Sequence, residues 1–172
     1  MRAAGGARIA YTSGDIFGMS GVLVHQCYCA WYSQRAAGLA MLVRLKLGAE
    51  PYPAAQQRAP FALGSVRVDH VAATRASGIT HVVHVYAQQW PGKPGAFSPA
   101  DDAPRRQDAF RAALRAVAAA AGDGYLAPTT VLFPANIGCG LAGGDWAAYH
   151  AMIAEFAALL PPAFAVKIVT LR

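Results

Sequence analysis

The sequence predicts an α/β fold of three layers, α/β/α, in which a mixed, mostly parallel sheet lies between helices. Apolar segments of strand type alternate along the chain with segments of helical periodicity. The near-continuous apolar run in ITHVVHVYAQQ (79–89) is typical of a central strand that is buried on both faces. A glycine-rich turn at 134–146 joins a strand to a helix, which is where sheets of this class bind ligands.

Six segments have the pattern of strands. RIAYT and GSVRVDHVA alternate apolar and polar residues, and GVLVHQC is a short apolar run with β-branched residues. The six predicted strands cover 8–12, 21–27, 64–72, 79–89, 129–134 and 163–171.

Three segments carry apolar residues at helical spacing, and they cover 35–48, about 104–121 and 146–160. Gly48 is the stop signal of the first helix, and Pro161 ends the third. Prolines interrupt 50–60, where one helical turn is expected, and they make 90–104 a loop.

Length and composition favour a single soluble domain. The chain has 172 residues, which suits one domain over 1–172, and 55% of them are hydrophobic, which is enough for a core. No window reaches the about 18 continuous apolar residues that a membrane helix needs. The first twenty residues lack the apolar region of a signal peptide. We therefore expect a soluble protein of the cytoplasm or nucleus that has no membrane partner.

The net charge indicates the kind of partner, and the cysteine count indicates whether disulfides are expected. A formal net charge of +6 favours anionic partners. Lysine and arginine form no single run, so sequence-specific binding of nucleic acid is not expected. Three cysteines without a secretory signal argue against a disulfide framework.

The stretch NIGCGLAGGDW (136–146) spends four glycines on one turn. Glycine permits positive φ and lets the backbone approach a ligand closely. Successive N–H groups without partners form a site for an anion such as phosphate. The alternative is a tight strand-to-helix turn that holds no ligand. The chain has no Walker A pattern, because no Gly-Lys-Ser/Thr follows the turn.

Four segments, in order, resemble the macro domain family, which binds ADP-ribose. They are SGDIF (13–17), GVLVHQCYC (21–29), RAAGLAMLVRLKLG (35–48) and FPANIGCGLAGGDW (133–146). The last is most similar to the branch whose phosphate loop reads P-x-I-G-C-G-L. That branch includes terminal ADP-ribose glycohydrolases, ADP-ribose-1″-phosphate phosphatase-like proteins and viral relatives. The resemblance covers nearly the whole chain and implies the macro-domain fold.

The resemblance also implies roles for the first and third segments. Asp15 matches the carboxylate that accepts a hydrogen bond from the adenine amino group, and the N–H of Ile16 is expected to face the adenine ring. The alternative for Asp15 is an Asx turn after Gly14. Gly38 and Leu39 match the loop over the diphosphate and the distal ribose.

The fourth segment matches the loop whose amides hold the diphosphate. Its residues are Ile137, Gly138, Cys139, Gly140 and Leu141, preceded by Phe133 and Pro134 at the strand end. Cys139 is interpreted as a small packed residue, because nothing near it in sequence would lower the pKa of its thiol. Valine at Gly140 is expected to crowd both the turn and the phosphate.

Three positions depart from the family pattern. Tyr28 stands where most members have an asparagine that orients the distal ribose; it either stacks on or caps the ribose or is a surface aromatic. Gln88 and Ala142 stand where the terminal glycohydrolase has a nucleophilic lysine and an aspartate, and neither can perform that chemistry. Lys93 is interpreted as a solvated loop lysine.

Asp145 and His25 are the catalytic candidates. Asp145 either positions and deprotonates a water or is only the N-cap of the last helix. His25 is either a catalyst or a satisfied core histidine. A zinc site through His25, Cys27 and Cys29 lacks a fourth ligand at metal-finger spacing, so neither a metal nor a cofactor is predicted.

The expected function is binding of ADP-ribose and hydrolysis of an ADP-ribosyl derivative by direct attack of water. The expected partner is therefore ADP-ribose or an ADP-ribosylated substrate. That substrate is a mono-ADP-ribosyl protein or nucleic acid, or ADP-ribose-1″-phosphate. The alternative is a reader that binds ADP-ribose without chemistry.

Overall fold

A six-stranded sheet forms the centre of the molecule, in a computed structural model that describes residues 8–31, 36–72 and 74–172. The strands are β1 (Ile9–Gly14), β2 (Ser20–Tyr28), β3 (Val66–His70), β4 (Gly78–Gln88), β5 (Thr130–Pro134) and β6 (Ala165–Leu171). Their order across the sheet is β1-β6-β5-β2-β4-β3. Only the pair of β3 with β4 is antiparallel among these strands, so the prediction of a mixed, mostly parallel sheet is confirmed.

The helices are α1 (Gly38–Leu47), α2 (Ala103–Gly122) and α3 (Trp146–Leu159). Short 3₁₀ turns cover Ile16–Gly18 and Ala54–Gln57, and the second is the helical turn expected within 50–60. The predicted start of the first helix at Arg35 lies outside the described residues. Within them, α1 begins at Gly38 and ends at Leu47, and its C-cap is Gly48, whose φ of +69° suits glycine.

The helices cover both faces of the sheet, as the three-layer prediction requires. Val22, Val24, Val83 and Val85 face α2 and α3, which lie on one side. The alternate strand residues Leu23 and Val82 belong to the core on the other side, which α1 closes with Val43. Within the described part of the chain, no helix is long and apolar enough to cross a bilayer.

The parallel strands β2, β4, β5 and β6 all end at the same edge of the sheet. The connections that leave this edge include the segment before α1, the loop from β4 to α2 and the glycine-rich loop from β5 to α3. Ligand sites of open α/β sheets lie outside this edge, so the fold brings these connections together around one position.

Candidate functional site

A cavity of about 520 Å³ lies at the carboxyl edge of the sheet. Its walls come from the end of β2, the start of α1, the end of β4 with Pro91 and Gly92, and the glycine-rich loop after β5. Leu171 at the end of β6 closes one side. The cavity has the size and position of a small-molecule site.

The glycine-rich loop is built from consecutive tight turns. Asn136 and Gly138 have φ angles of +60° and +71°, in the left-handed region. The N–H of Cys139 donates to the carbonyl of Asn136 over 2.9 Å, and the N–H of Gly144 donates to the carbonyl of Gly138 over 2.9 Å. Asn136 is a residue type that tolerates this conformation.

These turns leave several amides of the loop without an internal partner. Within the described residues, no acceptor takes a hydrogen bond from the N–H groups of Gly138, Gly140, Leu141 and Ala142. All four residues line the cavity. Backbone amides near a cavity that have no protein partner are donors for water or for the oxygen atoms of an anionic ligand.

The start of α1 adds a second set of donors to the same cavity. Ala37 at the N-cap offers no side-chain hydrogen bond, and no acidic residue lies in the first turn. Residues 37–40 line the cavity, and Gly38 has a φ of +55°. The first amides of a helix have no intrahelical acceptor and carry the positive end of its dipole. The cavity therefore receives positive potential from two backbone elements.

Arg106 of α2 ties two walls of the cavity together. Its guanidinium forms a salt bridge with Asp101 over 2.5 Å, and both side chains are buried. It also donates to the carbonyl of Gly92 over 2.7 Å and to that of Ala142 over 3.2 Å. The loop after β4 and the glycine-rich loop are thus held by one side chain. Arg106 lies one helical turn before the buried Phe110, on the apolar stripe of α2. A charged residue on that stripe is the sequence signal by which a buried arginine could have been found.

Asp101 is a charged anchor for the loop after β4. Burial alone would raise the pKa of this carboxyl. Hydrogen bonds from Arg106 and from the N–H groups of Gln89 and Trp90 outweigh that effect, so the pKa of Asp101 lies below its ordinary value. Asp101 is therefore ionised and pairs with the Arg106 guanidinium.

Nine of the fourteen residues that the sequence assigned to the site line the cavity. They are His25, Tyr28, Gly38, Leu39, Pro134, Ile137, Gly138, Gly140 and Leu141. Five others lie outside its walls, namely Asp15, Ile16, Phe133, Cys139 and Asp145.

Phe133 and Cys139 differ from their expected place in the ligand site. Phe133 is buried on the α2–α3 face and packs edge-on against Phe156, because its side chain points away from α1. The thiol of Cys139 donates to the carbonyl of Ile137 over 3.3 Å. Burial, and then the charge of Asp145, raises the pKa of this thiol to about 11, which agrees with a packed residue and not a nucleophile.

Asp15 lies beside the cavity and not in its wall. One carboxylate oxygen accepts from the N–H of Phe17 over 3.0 Å, and the other lies 3.3 Å from the ammonium of Lys46. Ile16 is fully buried, and its N–H has no acceptor among the described residues. Gly14 pairs with Leu171 across β1 and β6, so Asp15 follows a residue that adjoins the cavity edge.

Tyr28 is buried, so the alternative of a surface aromatic is wrong. Its ring stacks on Tyr52, with centroids 4.1 Å apart, and both rings line the cavity. Sequence reasoning missed Tyr52, which lies in the proline-rich segment after α1. Gln88 also lines the cavity, where it accepts a hydrogen bond from Gln26 over 2.8 Å and donates to the carbonyl of Trp90 over 2.9 Å.

Asp145 is the N-cap of α3. Its carboxylate accepts hydrogen bonds from the N–H groups of Ala147 and Ala148, each over 3.3 Å, and the residue is exposed. The capping alternative is therefore what the geometry shows. Lys93 is exposed, as expected for a loop lysine. No carboxylate and no lysine lies among the described residues of the cavity wall.

Known proteins match this chain in structure and not in sequence. No protein-family model matches the chain, and no curated protein matches it. Solved structures do match. The macrodomain of Mycobacterium tuberculosis DarG has a TM-score of 0.69 and 20% identity, over 96% of this chain and 99% of that one. The fold of this chain is the macrodomain fold.

Two further solved structures match this chain. A protein of unknown function from Bacteroides thetaiotaomicron has a TM-score of 0.68 and 25% identity, over 95% of this chain and 98% of that one. A glycine-to-valine variant of the Oceanobacillus iheyensis macrodomain, solved with ADPR, has a TM-score of 0.58 and 14% identity, over 99% and 88% of the two chains. At identities this low, the structural likeness shows the macrodomain fold alone, and function has to be argued from the site itself.

Proposed function

We propose that this chain belongs to the macro domain family and binds ADP-ribose in the cavity at the carboxyl edge of its sheet. The observation that carries the proposal is the set of unpartnered amides at Gly138, Gly140, Leu141 and Ala142, beside the uncapped start of α1. A diphosphate offers negative charge and several acceptor oxygens, which is the chemistry that both elements select. The Oceanobacillus iheyensis macrodomain, which has the same fold, has been solved with ADPR and with ADP.

The ligand is proposed to run across the end of the sheet. Its diphosphate would lie on the glycine-rich loop, and its adenosine would extend past Leu171 towards Asp15. The exposed carboxylate of Asp15 is shared with Lys46 over 3.3 Å, so it is able to accept from the adenine amino group at little cost. The distal ribose would then lie near Tyr28 and Gln88, where polar groups meet a stacked aromatic pair.

Two outcomes for the bound ligand remain as candidate functions. The first is hydrolysis of an ADP-ribosyl derivative by water, for which the imidazole of His25 is the base that the described wall offers. The second is a reader of ADP-ribose. One observation favours the reader. The titratable side chains of the described wall are His25, Tyr28 and Tyr52, so this part of the wall has no carboxylate to activate water. Burial lowers the pKa of His25 well below its ordinary value, so its imidazole is a weak base for activating water.

Calorimetric titration tests binding. ADP-ribose is expected to bind, and AMP should bind at least about tenfold more weakly, since it lacks the second phosphate and the distal ribose and so loses charge-assisted hydrogen bonds of about 1.5–3 kcal/mol each. Circular dichroism would establish that the sample is folded. A folded sample that gives no heat with ADP-ribose would contradict the proposed function.

Turnover separates the enzyme from the reader. The protein would be incubated with ADP-ribose-1″-phosphate and with a mono-ADP-ribosylated protein, and the release of phosphate or of ADP-ribose followed. If either substrate turns over, Asp145→Asn is expected to leave the rate unchanged, because asparagine also caps a helix and Asp145 lies outside the cavity wall. A rate that falls by about 10²–10⁴ would instead make Asp145 a general base. No turnover of either substrate favours the reader.

A further inference from the structure

A cluster of buried donor groups lies at one wall of the cavity, where His25 is one of the lining residues, and it is not among the groups proposed above to bind the diphosphate or the adenosine. His25 and Cys27 come from β2 and His84 from β4, and each is at most 1% exposed. His25 and His84 are register partners in the parallel pair of β2 and β4. Since Cys27 is two residues after His25 on the same strand, its side chain points to the same face.

The three side chains converge on one point. Nε2 of His25 lies 2.7 Å from Nδ1 of His84, and Sγ of Cys27 lies 3.7 Å from Nε2 of His25. One ligand atom from each residue falls within 4.8 Å of the others. Two imidazole nitrogens and a thiol sulfur are the donors that zinc prefers, and they do not suit magnesium or calcium, which take oxygen.

His84 is already oriented as a metal ligand would be. Its Nε2 lies 3.0 Å from a carboxylate oxygen of Asp69, and Asp69 is held in turn by Arg67 over 2.8 Å. A carboxylate beside Nε2 keeps the ring proton there and leaves the lone pair of Nδ1 directed at the cluster. Histidines that bind metals commonly donate their other N–H to a carboxylate in this way.

We propose that His25, Cys27 and His84 bind one zinc ion, with Asp69 fixing the orientation of His84. The ion takes the place of the proton shared by the two histidines, and the proton on Nε2 of His25 moves to Nδ1 of the same ring. The thiol of Cys27 loses its proton to solvent and binds as thiolate. Ligand distances of about 2.0–2.3 Å require the two ring nitrogens to separate slightly. The fourth position is left for a water, on the side where His25 meets the cavity.

The protonation states agree with this arrangement. Burial lowers the pKa of His84 to about 3 and that of His25 well below its ordinary value, so both imidazoles are neutral and have lone pairs to offer. Burial raises the pKa of the Cys27 thiol, so the thiol is protonated until an ion binds, and zinc binding should release one proton.

Cys29 provides a matched control. It is also buried and lies two residues from Cys27, but its thiol faces the carbonyl of Tyr86 over 3.6 Å and is not part of the cluster. The zinc set considered from the sequence, which included Cys29, therefore has the wrong third residue. His84 replaces it, and only the pairing of β2 with β4 brings His84 into place.

The test is a zinc titration of the full chain after removal of metals with a chelator, in competition with a chromophoric chelator. One zinc ion per chain with a Kd below about 1 μM is expected. Cys27→Ser should weaken zinc binding at least about 100-fold, which is more than the loss of a residue that only supports a ligand would cause. Cys29→Ser should leave zinc binding unchanged. A Kd above about 1 μM for the unmodified chain, or equal effects of the two substitutions, would overturn the proposal. His25, Cys27 and His84 would then form a hydrogen-bonded network only.

Cobalt gives a second measurement that does not depend on the folding of a variant. Cobalt(II) replaces zinc in sites of this kind, and a thiolate ligand gives it a strong charge-transfer absorption. The unmodified chain should show that band on addition of one equivalent of cobalt, and Cys29→Ser should retain it. Absence of the band in the unmodified chain overturns the site even if Cys27→Ser does not fold.

Discussion

Asp101→Asn is expected to lower the free energy of unfolding by about 3–5 kcal/mol, because it leaves a buried guanidinium without its counter-ion. Arg106 and Asp101 are each 2% exposed, so water cannot replace the lost charge. Urea denaturation monitored by circular dichroism measures the change. Asp108→Asn is the matched control, since Asp108 pairs with Arg111 on the surface and its side chain is 81% exposed. That control should stay within about 0.5 kcal/mol of the unmodified protein.

The same pair gives a pH dependence of defined sign. The folded pKa of Asp101 is lowered, so its contribution to stability is present above the unfolded pKa of about 3.9 and is lost as the pH falls through the folded value. The difference in stability between the unmodified protein and Asp101→Asn should therefore be constant near neutral pH and shrink below about pH 4. A difference that persists unchanged in acid would show that Asp101 acts through packing and not through its charge.

Gly138→Val is the second substitution with a large expected effect. A Cβ at Gly138 would lie 2.4 Å and 2.6 Å from ring atoms of Tyr149 and 2.7 Å from Oε1 of Gln26, and the φ of +71° is itself unfavourable for valine. The strained backbone costs about 1–2 kcal/mol, and overpacking adds about 1–3 kcal/mol. We expect the free energy of unfolding to fall by about 2–5 kcal/mol in total, as measured by urea denaturation.

Gly140→Val is the matched control for that experiment. Within the described residues, no atom lies within 4 Å of a Cβ at Gly140, and its φ is not in the left-handed region. Its stability should stay within about 0.5 kcal/mol of the unmodified protein. The expectation from the sequence that valine at Gly140 crowds the turn is therefore wrong, because in this loop Gly138 packs on Tyr149 while Gly140 faces the open cavity. A loss of stability equal to that of Gly138→Val would contradict this account of the loop.

Local pattern predicted the elements well. Alternation and apolar runs predicted all the strands of the sheet, and Gly48 and Pro161 predicted where α1 and α3 end. These signals depend on neighbours within a few residues, which a sequence displays directly. The glycine-rich turn was predicted for the same reason, since its conformation is set by residues adjacent in the chain.

Contacts between distant segments could not be predicted in this way. Arg106 reaches Ala142 across 36 positions of the chain, and His25 meets His84 across 59. The first contact depends on how α2 packs against the loop after β5, and the second depends on strand order and register; local pattern leaves both open. The burial of Tyr28 has the same origin, because it depends on Tyr52 from a segment whose prolines indicate only a connection.

Titration of ADP-ribose into Gly140→Val, beside the unmodified protein, tests most directly whether the ligand lies on the glycine-rich loop. The valine side chain would occupy the cavity beside the amides of Leu141 and Ala142 while leaving the fold intact. ADP-ribose should bind the unmodified protein, and its affinity for Gly140→Val should fall at least about tenfold, the loss of roughly one charge-assisted hydrogen bond. Equal affinity in two folded proteins would contradict the account, because the diphosphate would then lie elsewhere.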